Sequence, residues 1–185
     1  MSFCFRNLIL VLALLPAGCH SLTNTSQLLR PALQDIESVD VDPDHHPSYL
    51  EYHLQVDQQI EQLLRRVPSA VALKNLFIEC ARRLQASPEQ PQEHLIWIDP
   101  HDQAKHAVLS RLAELDSEVA TRILVELYAD ETLRWDGELA LNGANAISRC
   151  GRRALPHLTS IDFGFRKPVI QEIIACIEKG ERYGP

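Results

Sequence analysis

Apolar residues recur every three to four positions along most of this chain, which is the spacing of an amphipathic helix. The clearest case is the stretch 139–161, LALNGANAISRCGRRALPHLTSI. One helical face there contains Leu139, Gly143, Ala146, Ile147 and Cys150. Its small residues would let a neighbouring helix approach closely. Gly151 supplies the left-handed conformation that commonly closes a helix, so a second helix is predicted at 152–161.

The same periodicity and the capping residues predict about seven or eight helices and no strand. A typical start signal is Asp99 followed by Pro100, a capping residue with proline in the first helical position. The predicted helices are 27–38, 48–66, 69–85, 100–115, 118–129, 138–150, 152–161 and 167–179. The fold class is therefore predicted to be all-α.

Parts of the C-terminal half repeat. Residues 118–128 and 152–162 are 34 positions apart, and Gly151 and Gly180 are 29 positions apart. Periods in this range are typical of helix pairs stacked as a solenoid, in which each pair buries its apolar face against its neighbours.

A helix that ends in glycine and is followed by the Ala-Leu-Pro turn of 154–156 resembles the joint between two HEAT-like (armadillo-type) repeats. The similarity covers roughly residues 116–180. It implies a short right-handed α-solenoid of HEAT-like helix pairs within a single all-α domain, 27–185. Residues 27–100 would form N-terminal helices and a loop, and residues 101–185 the repeats.

The first 18 residues do not fit this domain. Arg6 is their one charged residue, 8–15 is an unbroken apolar run, and the small residues 17–18 lead into Cys19. That is the layout of an export signal peptide. The run is about half of the ~20 residues that span a bilayer, so a permanent membrane helix is disfavoured.

The end of this segment resembles a bacterial lipoprotein signal, in which small residues and a cysteine precede cleavage and lipidation. The resemblance implies a signal peptide at 1–18, a palmitate-bearing Cys19, and a tether over 19–26. His20 stands where aspartate is associated with inner-membrane retention, which implies an outer-membrane lipoprotein facing the periplasm. Leu15 lies one place earlier than the leucine of that family, which leaves a soluble periplasmic protein as the alternative.

Length and composition indicate one ordinary globular domain. The chain has 185 residues, of which 45% are hydrophobic and 23% charged. Its formal charge of −7 argues against a nucleic-acid partner, for which a basic balance is typical. Cys80, Cys150 and Cys176 would remain after lipidation; an odd number on apolar helical faces indicates small buried residues rather than a disulfide framework.

The segment 40–51, DVDPDHHPSYLE, is the sharpest candidate metal site. Positions 1, 3, 5, 7, 9 and 12 of an EF-hand-type loop would be Asp40, Asp42, Asp44, His46, Ser48 and Glu51. His45 occupies position 6, where that loop needs glycine, so an acidic loop without calcium is favoured. His45, His46 and His53 could instead bind a transition metal, although their spacing matches no defined motif.

No assembled catalytic motif is present. His101, Asp102 and His106 lie in the first turns of a predicted helix, where Asp102 and His106 are best explained as a surface pair. The sequence therefore predicts neither an enzyme nor a cofactor, and it identifies no small-molecule substrate.

Four cations are the candidate partner-binding residues: Arg152, Arg153, Arg166 and Lys167. Each is predicted to begin a helix, the end at which the helix dipole disfavours positive charge. An external anionic partner would explain that placement.

The favoured hypothesis is a lipid-anchored, periplasm-facing adaptor or scaffold that binds another envelope protein through its repeat surface. One alternative is a periplasmic immunity or inhibitor protein directed against a toxin, since such proteins are often small, acidic and free of catalytic motifs. A second alternative is a calcium- or metal-responsive module at 40–51.

Overall fold

The computed structural model describes residues 31, 34, 49–67, 69–86 and 99–184. These residues are helical or lie in turns, and none of them is in a strand. The prediction of an all-α protein is confirmed for this part of the chain.

The described chain contains seven α-helices and two short 3₁₀ turns. The helices are α1 Tyr49–Leu64, α2 Ala70–Ala86, α3 Pro100–Glu114, α4 Glu118–Ala129, α5 Gly137–Arg149, α6 Leu155–Ser160 and α7 Lys167–Lys179. The 3₁₀ turns are Gly151–Ala154 and Gly164–Arg166. The bounds of the α-helices agree closely with the helices predicted from residue 48 onward, except at 152–161. The predicted helix 27–38 lies outside the described residues, apart from 31 and 34.

Helix starts are fixed by side-chain caps. The oxygens of Ser69, Asp99, Ser117 and Asp136 accept hydrogen bonds from backbone N–H groups two or three residues further on, at 2.8–3.2 Å. Those N–H groups have no partner inside the helix, so each cap satisfies a donor that would otherwise be lost. The predicted start of α3 at Asp99 and Pro100 is confirmed.

Two glycines close helices as predicted: Gly151 has φ 60° and Gly180 has φ 74°. The prediction of one helix over 152–161 is wrong, because the chain first forms the 3₁₀ turn and only then α6. Pro156 lies at the start of α6, where its fixed φ is favourable and its missing N–H costs nothing.

The helices lie in two layers. In one layer α1 contacts α3, α3 contacts α5, and α5 contacts α7; in the other, α2 contacts α4 and α4 contacts α6. Helices consecutive in sequence pack across the layers, as α2 does on α3, α4 on α5 and α6 on α7. The apolar core fills the space between the layers and includes Leu73, Leu76, Phe77 and Cys80 of α2 and Ala120, Ile123, Leu124 and Leu127 of α4.

α3 is the central helix, since it contacts α1, α2, α4 and α5. Its N-terminal half is polar, yet no residue from 101 to 113 is exposed. Its polar groups must therefore find partners inside the protein.

Gly143 in α5 is the point of closest packing. A Cβ atom built there would lie 2.7 Å from Cδ2 of Tyr128 and 2.9 Å from Cζ3 of Trp135. The small residue therefore admits two aromatic rings, one from α4 and one from the loop before α5. Real Cβ atoms do not approach so closely, and both rings are held by neighbours.

We expect Gly143→Ala to lower the free energy of unfolding by about 1–3 kcal/mol, because the added methyl group overpacks these rings. Gly137→Ala is the matched control: its Cβ would have no neighbour within 4 Å. That change should be neutral or stabilise by up to about 1 kcal/mol. Chemical denaturation of both variants measures the difference, and equal stabilities would contradict the packing described here.

Candidate functional site

Most of the predicted lipidation and metal residues lie outside the described residues. This holds for Cys19 and for 40–48; Glu51 lies in the first turn of α1, and its side chain is not described. Within the described part of the chain, no group of three or more His, Cys, Asp and Glu side chains is placed to hold a metal ion.

The structure separates the four candidate partner-binding cations. Arg152 and Lys167 are exposed, Arg153 is half-buried, and Arg166 is buried. Arg152 and Arg153 lie in the 3₁₀ turn between α5 and α6, before the N-cap of α6, so neither is in the first turn of an α-helix. The premise that both begin a helix at its unfavourable end is therefore wrong.

Arg153 is used inside the protein. Its Nη1 donates to the carbonyl oxygen of Asp116 at 2.6 Å, and Nη2 is paired with the Asp116 carboxylate. Asp116 has φ 48°, an uncommon conformation for a residue other than glycine. Close by in sequence, His157 Nε2 lies 2.6 Å from Glu118 Oε1, so two polar contacts join the start of α4 to the segment after α5.

Arg166 is also engaged internally, so the expectation that it faces a partner is wrong. Its side chain is 6% exposed, and Nη1 donates to the backbone carbonyl of Tyr128 at 2.6 Å. That carbonyl lies near the C-terminus of α4, where helix oxygens lack partners within the helix. Arg166 thereby donates to a buried carbonyl oxygen that would otherwise have no hydrogen-bond donor.

Aromatic rings surround the guanidinium. Its carbon lies 5.5 Å from the ring centroids of Tyr128 and Trp135, and 4.7 Å from that of Phe165. Trp135 also contacts Phe77 of α2, with centroids 5.5 Å apart. We call these five residues the Arg166 cluster. It joins α2, α4, the loop before α5 and the turn before α7.

Burial lowers the pKa of the Arg166 guanidinium, while Tyr128, Glu131 and Asp130 act in the opposite direction. Cation–π contact with three rings and a charged hydrogen bond offset part of the cost of desolvation. No sequence pattern identified this role, because a basic pair before an apolar run is equally typical of a solvated helix start.

The polar start of α3 forms short-range pairs. Lys105, only 4% exposed, lies 2.7 Å from Asp102 Oδ1, and His101 Nδ1 lies 3.0 Å from Asp99 Oδ1. His106 is hydrogen-bonded to Asn142 of α5, so the predicted pairing of His106 with Asp102 does not form.

The Lys105–Asp102 pair neutralises charge within α3, and the bond between His106 and Asn142 joins α3 to α5. Burial raises the pKa of the nearby Cys80 thiol to about 12, which keeps it protonated at neutral pH. Cys80, Cys150 and Cys176 are all unpaired. The arrangement favours a structural role for this region.

Helices α2 and α4, neighbours in one layer, both carry exposed apolar residues. Val71 and Ile78 are 50% and 38% exposed, and Val119 of α4 is 47% exposed. Lys74 Nζ, between the first two on α2, lies 2.8 Å from Oε2 of Glu126 on α4. We call this surface, Val71, Lys74, Ile78, Val119 and Glu126, the α2–α4 face.

Comparison of the chain with models of protein families, with functionally characterised proteins and with experimentally solved structures finds no match. Among the described helices, none is both long and apolar enough to cross a membrane.

We expect Arg166→Lys to lower the free energy of unfolding by about 2 kcal/mol, because lysine cannot reproduce both the ring contacts and the bond to Tyr128. The control is Lys167→Arg, an exposed position at which the change should stay within about 0.5 kcal/mol. Thermal unfolding should show a fall of several degrees for the first variant alone. Equal melting temperatures would show that the Arg166 cluster contributes nothing beyond an ordinary surface contact.

Proposed function

We propose that the protein is a lipid-anchored, periplasm-facing adaptor that binds another envelope protein through a HEAT-like, right-handed helical-repeat domain. The contact pattern supports the repeat architecture: α1 to α5 each pack on the helix after next, and α2, α3, α4 and α6 each pack on the next helix in sequence, in two layers. Stacked pairs of this kind build a continuous core from neighbour contacts and offer extended surfaces rather than a deep pocket.

The α2–α4 face is the observation that carries this proposal. Val71 and Ile78 lie one turn before and one turn after Lys74, and Val119 lies two turns before Glu126. The contact between Lys74 and Glu126 brings the exposed apolar residues of α2 and α4 side by side. The result is a surface of exposed apolar residues on two neighbouring helices of one layer, with the Lys74–Glu126 ion pair between them.

A protein partner suits this surface better than a small ligand. Its apolar residues are spread over two helices rather than gathered in a cavity, and their burial would contribute affinity. Arg122 lies 3.6 Å from Glu126 and extends the ion pair into a short network. Such fixed charges beside apolar residues would set the orientation of a partner rather than its affinity.

The test of this surface is the double variant Val71→Glu with Val119→Glu. Both changes lie in the first turn of a helix and near a cation, so the fold should be retained. A partner isolated from envelope extracts and then purified should bind the variant at least tenfold more weakly, a loss of about 1.4 kcal/mol.

The matched control is Leu54→Glu with Leu141→Glu, which alters two equally exposed apolar residues of the other layer. This variant should bind like the wild type. If both double variants keep the wild-type affinity, the α2–α4 face is not the binding surface.

Lipid anchoring is tested separately at Cys19. Cells given labelled palmitate should incorporate the label into the wild-type protein, because the cysteine follows a segment with lipoprotein-signal features. Cys19→Ser should carry no label and should accumulate as unprocessed precursor, whereas Cys176→Ser should be labelled normally. An unlabelled wild-type protein would favour the soluble periplasmic alternative.

A further inference from the structure

We propose that one edge of the protein binds anionic lipid headgroups through a row of cations. We call this row the basic edge; its members are Arg65, Arg66, Arg149, Arg152, Lys179 and Arg182. All six side chains belong to exposed residues, and none forms an ion pair with a described acid.

The row exists because α1, α3, α5 and α7 run in the same direction. The charges of Glu114 and Arg111, at the end of α3, act on Glu61 at the end of α1. Near the end of α5, the Ser148 hydroxyl accepts a hydrogen bond at 3.0 Å from the backbone of Tyr183, which follows α7.

Just beyond the ends of α3 and α5, Arg153 Nη1 donates a hydrogen bond to the carbonyl oxygen of Asp116 at 2.6 Å. The C-termini of these helices therefore share one end of the molecule.

Acids at this end are mostly paired with other residues. Glu114 contacts Arg111 at 3.2 Å, Asp116 holds Arg153, and Glu118 contacts His157 at 2.6 Å. The acids of the same end without a described ion pair are the exposed Glu178 and Glu181 and the half-buried Glu61, on which the charge of Arg65 acts. Six exposed cations thus face solvent against three such acids.

The helix dipole does not account for the whole row. A cation in the last turn gains about 0.3–1 kcal/mol, and the effect falls off beyond that turn. Arg152 follows the end of α5, and Arg182 lies two residues beyond the closing Gly180. Their accumulation at one edge is better explained by an anion outside the protein.

A lipid surface fits the edge better than an acidic protein does. Helices that pack side by side are about 8–10 Å apart, so cations on their ends can meet a flat surface together. Each can add about 1 kcal/mol near an anionic membrane, with no need of an apolar anchor. A protein interface would normally include a buried aromatic residue, and the exposed Phe165 lies at the opposite end.

The formal charge of −7 does not prevent this attraction. α3 has 15 residues and is therefore about 22 Å long, whereas the Debye length at physiological ionic strength is about 8 Å. Acids at the opposite end, such as Asp99 and Asp136, are screened from a surface that touches the basic edge.

The experiment measures flotation of the full chain carrying Cys19→Ser in every variant, so that no acyl chain contributes, with vesicles of phosphatidylcholine alone and with a third of phosphatidylglycerol added. Arg149→Gln with Arg152→Gln, and Lys179→Gln with Arg182→Gln, should each weaken the binding that depends on phosphatidylglycerol about tenfold. The control, Arg134→Gln with Lys167→Gln, removes two exposed cations of the opposite end. It should change the phosphatidylglycerol-dependent binding less than twofold. Rising salt should weaken the wild type.

Equal binding by all three double variants would overturn the proposal, as would wild-type binding that is indifferent to phosphatidylglycerol or to salt. The proposal would also be overturned if the basic-edge variants lost the binding of an acidic protein but still bound the vesicles. If a double variant does not fold, the single changes Arg152→Gln and Arg182→Gln outside the helices replace it and should each show a smaller loss. Because vesicles contain no protein partner, these results are independent of the α2–α4 face.

Discussion

The burial of Arg166 is the contact on which the C-terminal half of the structure depends. A guanidinium removed from water needs both acceptors and polarisable neighbours. The end of α4 supplies a backbone carbonyl, and Tyr128, Trp135 and Phe165 supply ring faces. The rings in turn require Gly143, because any side chain there would displace them. One cation thus fixes the positions of α4, α5 and α7 together.

The polar central helix poses the same physical problem and solves it differently. In α3, Lys105 is buried beside Asp102, three residues earlier in the same helix. The helix is joined to α5 by the hydrogen bond between His106 and Asn142. A buried ion pair contributes little net stability, but removal of one partner leaves an uncompensated charge. The Lys105–Asp102 pair lies within α3, whereas the bond between His106 and Asn142 specifies that α3 and α5 lie side by side, which apolar contacts alone do less well.

Sequence periodicity was sufficient for the helices and for much of the core. The closing turns at Gly151 and Gly180 followed from the need for a left-handed residue at a helix end. The role of Arg166 could not be predicted, since it depends on rings more than thirty residues away in sequence. The same holds for Arg153 and Asp116: neighbours in space, they are distant along the chain. Helical patterns show which residues face inward, whereas partners of polar side chains depend on how the helices are stacked.

Parallel packing within one layer has a consequence for function. Because α1, α3, α5 and α7 point the same way, their dipoles and charged ends add within that layer. Asp99 and Asp136 cap helices at one edge, and the basic edge forms at the other. The exposed apolar residues of α2 and α4 lie on the outer side of the other layer. A domain held to a membrane by its basic edge would therefore keep the α2–α4 face at its side, free to contact a neighbouring protein along the same surface.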